Sequence, residues 1–166
     1  MADSSPDSGP ARAGAGLTLD FDRGIPFLVS ALGAKLADLA SRDVRKSLGI
    51  GLMEWRTVAL LAVEARATPA RIGQVSGVDK SVVSRAAATL EQRGLIEIQA
   101  DPLGSRQTRL SLTPAGLSLH DRGVVLALER CDALLDGFGP EQRELFTDFL
   151  KRAIANLRRL EPPRKT

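Results

Sequence analysis

The stretch TPARIGQVSGVDKSVVSRAAATLEQRGLIEIQADPLGSRQTRLSLT, residues 68–113, determines the fold that we predict for this chain. Thr68-Pro69 combines a helix-capping side chain with proline at the first helical position, and the short helix that it starts ends at Gly77. Asp79 can cap a second helix, which is predicted over residues 80–93. Two helices joined by a tight glycine turn are typical of a helix-turn-helix.

A β-hairpin is predicted directly after the second helix. Residues 95–98 (LIEI) favour a short strand, and residues 101–104 (DPLG) have turn chemistry. Residues 107–112 alternate polar and apolar side chains, which suits a return strand with Thr108, Leu110 and Leu112 on one face. The sequence therefore predicts a winged helix-turn-helix, mainly α with a small two-stranded β wing whose tip lies near residues 103–106.

Helical patterns on both sides of this lobe complete the predicted domain. Leucines recur at steps of four and three from Leu28 to Leu39, which predicts one long helix over residues 25–48. A second helix is expected from about residue 52 to 65, and two more from Pro114 to about 135 and from Pro140 to about 160. We predict one domain over residues 23–160, with the winged lobe at 52–113, between a disordered leader (1–22) and a tail (161–166).

The composition excludes several classes of function. The chain has 166 residues, a net charge of +3, one histidine (His120), one cysteine (Cys131) and no tyrosine. These residues do not suffice for the common nucleophile–histidine sites or for a protein-only zinc site, so we predict no enzyme activity, no cofactor and no metal. No run approaches the ~18 apolar residues that cross a bilayer, and the first residues lack the apolar core of a secretory signal. We therefore expect a cytoplasmic protein without a membrane partner.

The outward face of the helix over residues 80–93 is the predicted DNA-contacting surface. Val83, Ala87 and Leu90 are spaced to face inward. The residues expected to contact DNA are mostly short and include one arginine: Lys80, Ser81, Val82, Ser84, Arg85, Ala88 and Thr89. Short side chains let a helix approach base edges in a major groove ~12 Å wide, where Arg85 can donate two hydrogen bonds to guanine.

Each of these features also has another interpretation. A helix face of short side chains can pack against protein, in which case the chain would be an interaction module without a DNA operator. Arg106, near the wing tip, either enters a narrow minor groove or stays solvated. Arg109 either contacts the DNA backbone or simply lies on the exposed face of the return strand.

The terminal helices carry apolar stripes that the small winged lobe is too small to cover. These residues are Leu28, Leu32, Leu36 and Leu39 at one end, and Phe146, Phe149, Ile154 and Leu157 at the other. Contiguous apolar surface of this kind marks an interface, so we expect residues 25–48 and 114–160 to supply the dimerisation helices of a homodimer. A two-fold dimer would bind a pseudo-palindromic double-stranded DNA operator with half-sites ~34–36 Å apart.

The order and spacing of these elements resemble the MarR family of bacterial transcription regulators. The matching strings are MEWR (53–56), GVDKSVVSR (77–85), LEQRGLI (90–96), the DP of the wing (101–102) and LTPAG (112–116). The resemblance covers about residues 25–160 and implies a homodimeric regulator, with the dimer built from the first helix and the last two. It also implies repression, or sometimes activation, of nearby genes, and release from DNA by a small, often aromatic or phenolic, compound.

The resemblance assigns base recognition to Ser81, Val82, Ser84 and Arg85, and the role of wing arginine to Arg106. Two features depart from the family's pattern. Gly104 stands where the family usually has an aspartate that orients the wing arginine, and Ala88-Thr89 stands where longer polar residues are common. These departures predict fewer base contacts or a different base preference, not loss of binding.

Three further residues have competing interpretations. An effector pocket is expected near Trp55, although a core anchor is the stronger interpretation of Trp55 itself. His120 suits a helix surface or interface better than a sensor. Cys131 suits a buried thiol better than a peroxide sensor, because in the oxidant-sensing branch of the family that this chain resembles the reactive cysteine lies near the N-terminus.

Overall fold

Six α-helices and one two-stranded antiparallel sheet make up the part of the chain that the computed structural model describes, residues 24–100 and 108–160. In chain order they are α1 (Ile25–Leu48), α2 (Leu52–Glu64), α3 (Pro69–Ser76), α4 (Lys80–Gln92), β1 (Ile96–Ala100), β2 (Thr108–Leu112), α5 (Pro114–Leu134) and α6 (Pro140–Arg158). The predicted fold class, mainly α with a two-stranded wing, is confirmed. The predicted leader, wing tip and tail lie outside the described residues.

The helices of the winged lobe begin at the predicted residues, and α2 and α4 each end one residue earlier than predicted. Thr68, Asp79 and Thr113 each accept a hydrogen bond from a backbone N–H two or three residues further along, at 3.1, 2.8 and 3.1 Å. Gly77 ends α3 with φ +69°, a left-handed conformation that glycine adopts without a steric penalty. Local side-chain chemistry therefore fixes the short α3–α4 turn.

The wing sheet has one backbone neighbour that the sequence does not predict. β1 and β2 pair with Ile96 opposite Leu112 and Ile98 opposite Leu110. Ala67, in the loop between α2 and α3, forms a bridge with Leu110: its N–H donates to the Leu110 carbonyl at 3.1 Å and its carbonyl accepts from the Leu110 N–H at 2.8 Å. The wing is thereby hydrogen-bonded to the start of the helix-turn-helix.

The core lies between α2, α3, α4, the wing and the first half of α5, and the end of α1 contributes to it. Its fully buried side chains, each under 2% exposed, are Val44, Thr57, Val58, Leu61, Ile72, Val83, Leu90, Ile96 and Leu110. The predicted inward residues of α4 are all buried, and Ala86 joins them at 8% exposure. Buried Thr57 is satisfied because its hydroxyl donates to the carbonyl of Met53 at 2.9 Å.

Two glycines let α5 approach the winged lobe closely. A Cβ at Gly116 would lie 2.0 Å from the carbonyl oxygen of Leu95, and one at Gly123 would lie 2.2 Å from the ring of Trp55. No real Cβ atom tolerates such distances, so both positions require glycine for the observed packing. The first half of α5 therefore rests directly on Leu95, between α4 and β1, and on α2.

The chain divides into two compact units, residues 1–38 and 39–166. In the first unit, Ile25, Leu28 and Val29 at the start of α1 are each more than half exposed. In the second unit α6 has no buried residue, and its apolar side chains are largely exposed. Within residues 24–100 and 108–160, no helix is at once long and apolar enough to cross a bilayer.

The expectation of a buried thiol at Cys131 is wrong for the chain as the structure describes it, because Cys131 is exposed. The buried residues of α5 are Gly116, Leu119 and Gly123, all in the first half of the helix. Cys131 lies two turns beyond the last of them, past the end of the winged lobe. Helical periodicity alone does not reveal where along a helix the core stops.

Candidate nucleic-acid interface

Helix α4 presents one side to the core and the opposite side to solvent. It packs against α2, α3 and β1 through its buried stripe. Ser81, Arg85 and Ala88 follow each other at steps of four and three residues on the opposite side, and all are exposed. Gln92 continues the same row four residues later and is also exposed. Gln92 is not among the residues predicted to contact DNA, although the same spacing identifies it.

The structure places most of the predicted DNA-contacting residues on the solvent side of α4. Exposed residues are Lys80, Ser81, Ser84, Arg85, Ala88 and Thr89. Val82 is half-buried, at the edge of the exposed face, and Arg109 is half-buried on β2, opposite Gln99. Arg106 lies outside the described residues. The contact roles of all these residues stay predictions.

Two hydroxyl groups on this face are already engaged within the helix. Ser84 Oγ donates to the carbonyl of Lys80 at 3.0 Å, and Thr89 Oγ1 donates to the carbonyl of Arg85 at 3.2 Å. A hydroxyl has one hydrogen to donate, so each keeps only acceptor capacity for another molecule. Side-chain donors on the exposed face of α4 therefore come mainly from its long residues.

The arginine of the neighbouring helix α3 is paired with a carboxylate of α2. The guanidinium of Arg71 on α3 donates to the Glu64 carboxylate at the end of α2 through Nη2 at 2.6 Å and Nε at 3.0 Å. This hydrogen bond lowers the pKa of the Glu64 carboxyl below its ordinary value and raises that of Arg71. Because the charge of Arg71 is paired with that of Glu64, the positive charge on the exposed face of α4 comes from Lys80 and Arg85.

The C-terminal end of α4 is fixed to the elements around it. The Arg93 side chain donates through Nη1 to the carbonyl of Gly49, in the turn after α1, at 2.9 Å. The hydroxyl of Thr113, at the start of α5, donates to the carbonyl of Gly94 at 2.7 Å. These contacts involve Arg93 and Gly94, so they leave the side chains of the exposed row uncovered.

Trp55 lies where α2 meets α5. It is 7% exposed, its ring stacks on His120 with centroids 6.0 Å apart and planes 16° apart, and it covers Gly123. This is the position of a core anchor, as predicted. His120 is half-buried on the surface of α5.

An open groove of about 430 Å³ begins beside Trp55. Its apolar lining comes from Ala59, Leu60 and Val63 of α2 and Val75 of α3. Whether Trp55 contacts a ligand stays a prediction. Among the described residues, no three His, Cys, Asp or Glu side chains lie close enough together to hold a metal ion.

Helices α2 to α4 and the wing define a winged helix-turn-helix, and comparison with known proteins shows which proteins this lobe resembles. The model of the MarR family matches residues 48–107. A curated relative, the uncharacterized HTH-type transcriptional regulator YxaD of Bacillus subtilis (strain 168), is 31% identical over 87 residues. That match spans 51% of this chain and 61% of the relative, so the chain covers less than two thirds of the relative's length.

Solved structures share the fold over most of their length. A MarR/EmrR family transcriptional regulator from Acinetobacter sp. ADP1 superposes with a TM-score of 0.78 and 26% identity, over 85% of this chain and 99% of that chain. A putative MarR family transcriptional regulator from Listeria monocytogenes, complexed with 26mer DNA, has a TM-score of 0.76 and 18% identity, over 81% and 89%. Residues 48–107 of this chain thus resemble the MarR family, and solved regulators of that family share the described fold.

Proposed function

We propose that this protein is a sequence-specific, double-stranded DNA-binding transcription regulator that acts as a homodimer in the cytoplasm. The observation that carries the proposal is the exposed face of α4: short side chains around Arg85, on a helix whose other side is buried in the core. The same fold in the Listeria monocytogenes protein complexed with DNA supports this assignment.

In this proposal α4 enters the major groove. Arg85 donates two parallel hydrogen bonds to O6 and N7 of a guanine, the commonest specific contact of an arginine with DNA. Lys80 and Ser81, at the start of the helix, lie where phosphates flank the groove. Arg109 of the wing contacts the DNA backbone, and Arg106 enters the adjacent minor groove.

The dimer is proposed from the apolar side chains that the chain leaves uncovered. On α6, Phe149, Ile154 and Leu157 are 56%, 51% and 63% exposed. Apolar surface of this extent on neighbouring turns of one helix is typical of an interface and not of a solvated helix. A symmetric pair presents two α4 helices to one pseudo-palindromic operator.

Regulation by a small ligand is the finer part of the proposal. A repressor of this kind is released when an aromatic or phenolic compound changes the separation of the two α4 helices. The ligand can do so only if it binds one separation more tightly than the other. The groove beside Trp55 is the proposed position for it, because its lining is largely apolar.

The experiment is selection of bound DNA from a random pool, followed by titration of the selected site. Arg85→Ala should lower affinity for that site by about 1–3 kcal/mol and relax the base preference at one position. Arg122→Ala, which removes an exposed arginine from α5, is the control. Log affinity should fall with log salt by about 0.9 per phosphate neutralised. A folded dimer that selects no DNA at low salt would favour the protein-interaction module instead.

A further inference from the structure

Two hydroxyl groups on the exposed face of α4 are not available as hydrogen-bond donors to a ligand. Ser84 and Thr89 both donate to backbone carbonyls one turn back, at 3.0 and 3.2 Å. Each hydroxyl therefore presents to the outside an acceptor oxygen, and Thr89 presents a methyl group as well. A helix face of this kind is less polar in function than its sequence suggests.

Methyl groups border Arg85 on both sides along the helix. Val82 lies three residues before it, and Ala88 and Thr89 lie three and four residues after it. Residues at these spacings are direct neighbours on a helix surface, with Cβ atoms ~5–6 Å apart. Val82 is half-buried and the other two are exposed, so all three present apolar surface beside the guanidinium.

We propose that the operator half-site is a guanine bordered by thymines, and that the 5-methyl groups of these thymines are what α4 recognises beside Arg85. Thymine carries the one apolar group on a base edge in the major groove. Recognition of adenine takes a side chain that donates and accepts together, such as Asn or Gln. The bonded hydroxyls do not donate, and Gln92, which can do both, lies seven residues from Arg85, about 10 Å further along the helix. A spacing of ~5–6 Å along the helix places the thymines within about two base pairs of the guanine. This inference rests on the proposed function.

Replacement of single thymines by deoxyuridine tests the inference, because uracil pairs like thymine and lacks only the methyl group. The DNA is the site selected by the full-length protein. Each recognised thymine should lose about fourfold in affinity when its methyl is removed, which corresponds to one buried methyl group. Deoxyuridine outside the protected site should change nothing.

A pair of variants at Thr89 separates the methyl group from the hydroxyl. Thr89→Ser removes the methyl and keeps the hydroxyl, so the ratio of thymine to uracil affinity at one position should fall from about fourfold towards one. Thr89→Val keeps methyl groups and removes the hydroxyl, so the ratio should persist. Both changes lie on an exposed helix position, and circular dichroism melting confirms that both variants fold.

The possible results distinguish the inference from the function on which it rests. Methyl-dependent binding that Thr89→Ser abolishes and Thr89→Val retains supports the inference. If DNA is selected but uracil is bound as tightly as thymine at every position, the proposed regulator is supported and methyl recognition is wrong. The same conclusion follows if Thr89→Val loses the thymine-to-uracil ratio as Thr89→Ser does. If no DNA is selected, the proposed function fails and the inference fails with it.

Discussion

Replacement of Gly123 by alanine tests the packing that supports the winged lobe on α5. The new Cβ would lie 2.2 Å from Cζ3 and 2.6 Å from Cη2 of Trp55, and 2.9 Å from Cδ1 of Leu48. Carbon atoms in contact prefer ~3.5–4.0 Å, so the indole must move by about 1.3 Å or more. Trp55 is 7% exposed and has little room for such a shift.

The expected change in the free energy of unfolding of Gly123→Ala is the difference between two opposing effects. Overpacking a core costs about 1–3 kcal/mol, and alanine gains about 1 kcal/mol over glycine in a helix interior. The new Cβ would clash with both the Trp55 ring and Leu48, so we place the cost in the upper half of that range and expect a net loss of about 1–2 kcal/mol in the free energy of unfolding. For a chain of this size the melting temperature falls by about 2–4 °C per kcal/mol, which predicts a decrease of about 2–8 °C.

Gly33→Ala is the matched control, because Gly33 lies inside α1 with nothing within 4 Å of a built Cβ. The same substitution without a clash should raise the melting temperature slightly, so the two variants are predicted to shift it in opposite directions. Melting is followed by circular dichroism at one protein concentration, because the stability of a dimer depends on concentration.

The fluorescence of Trp55 gives an independent measurement, because it is the only tryptophan in the chain. Displacement of the ring should change its emission in native Gly123→Ala. Trp55→Phe in the same background removes the clashing atoms, so the effect of Gly123→Ala should shrink there. The described packing is refuted if Gly123→Ala is as stable as Gly33→Ala and leaves the emission unchanged.

Two further predictions concern the lobe. Gly116→Ala should lower the melting temperature more than Gly123→Ala, because its Cβ would meet the backbone oxygen of Leu95 at 2.0 Å and a backbone cannot rotate away; an equal or smaller decrease would contradict this. The hydrogen bond from Arg71 lowers the pKa of Glu64 in the folded chain below its ordinary value of about 4.5. The pair therefore stabilises the fold at pH values above about 4.5, and this stabilisation is lost as the pH falls through the pKa of Glu64 in the folded chain. Glu64→Gln should therefore make the melting temperature fall less steeply between about pH 6 and about pH 3. If the melting temperature depends on pH as it does in the unchanged protein, the stabilising role of the Arg71–Glu64 ion pair is contradicted.

Features set by neighbouring residues could be predicted from the sequence. The starts of α3, α4 and α5 depend on a capping side chain and, for two of them, on proline at the next position, and each signal lies within three residues of the helix that it starts. The buried stripe of α4 follows from helical periodicity in the same way. Such information does not depend on where other elements of the chain lie.

Features that depend on distant residues could not be predicted. The hydrogen bond from Arg93 to the Gly49 carbonyl joins residues 44 positions apart, and no local pattern marks either partner. The need for glycine at Gly123 arises from the ring of Trp55, which belongs to another helix. The position of Cys131 within a helix predicts a buried thiol, but tertiary packing decides how far along α5 the core extends, and Cys131 is exposed.

The attachment of α4 at its C-terminal end has a consequence for regulation. Arg93 and Gly94 bind to the turn after α1 and to the start of α5, while Lys80 and Ser81 begin the exposed face at the other end of the 13-residue helix. With a rise of 1.5 Å per residue, the two ends are about 18 Å apart. A rotation of about 5° about the fixed end therefore moves the start of α4 by ~1.6 Å, close to half of the 3.4 Å step between base pairs. In the proposed complex with DNA, a rearrangement at the α1 and α5 contacts that is small in angle would thus be large enough to change which base edges α4 meets.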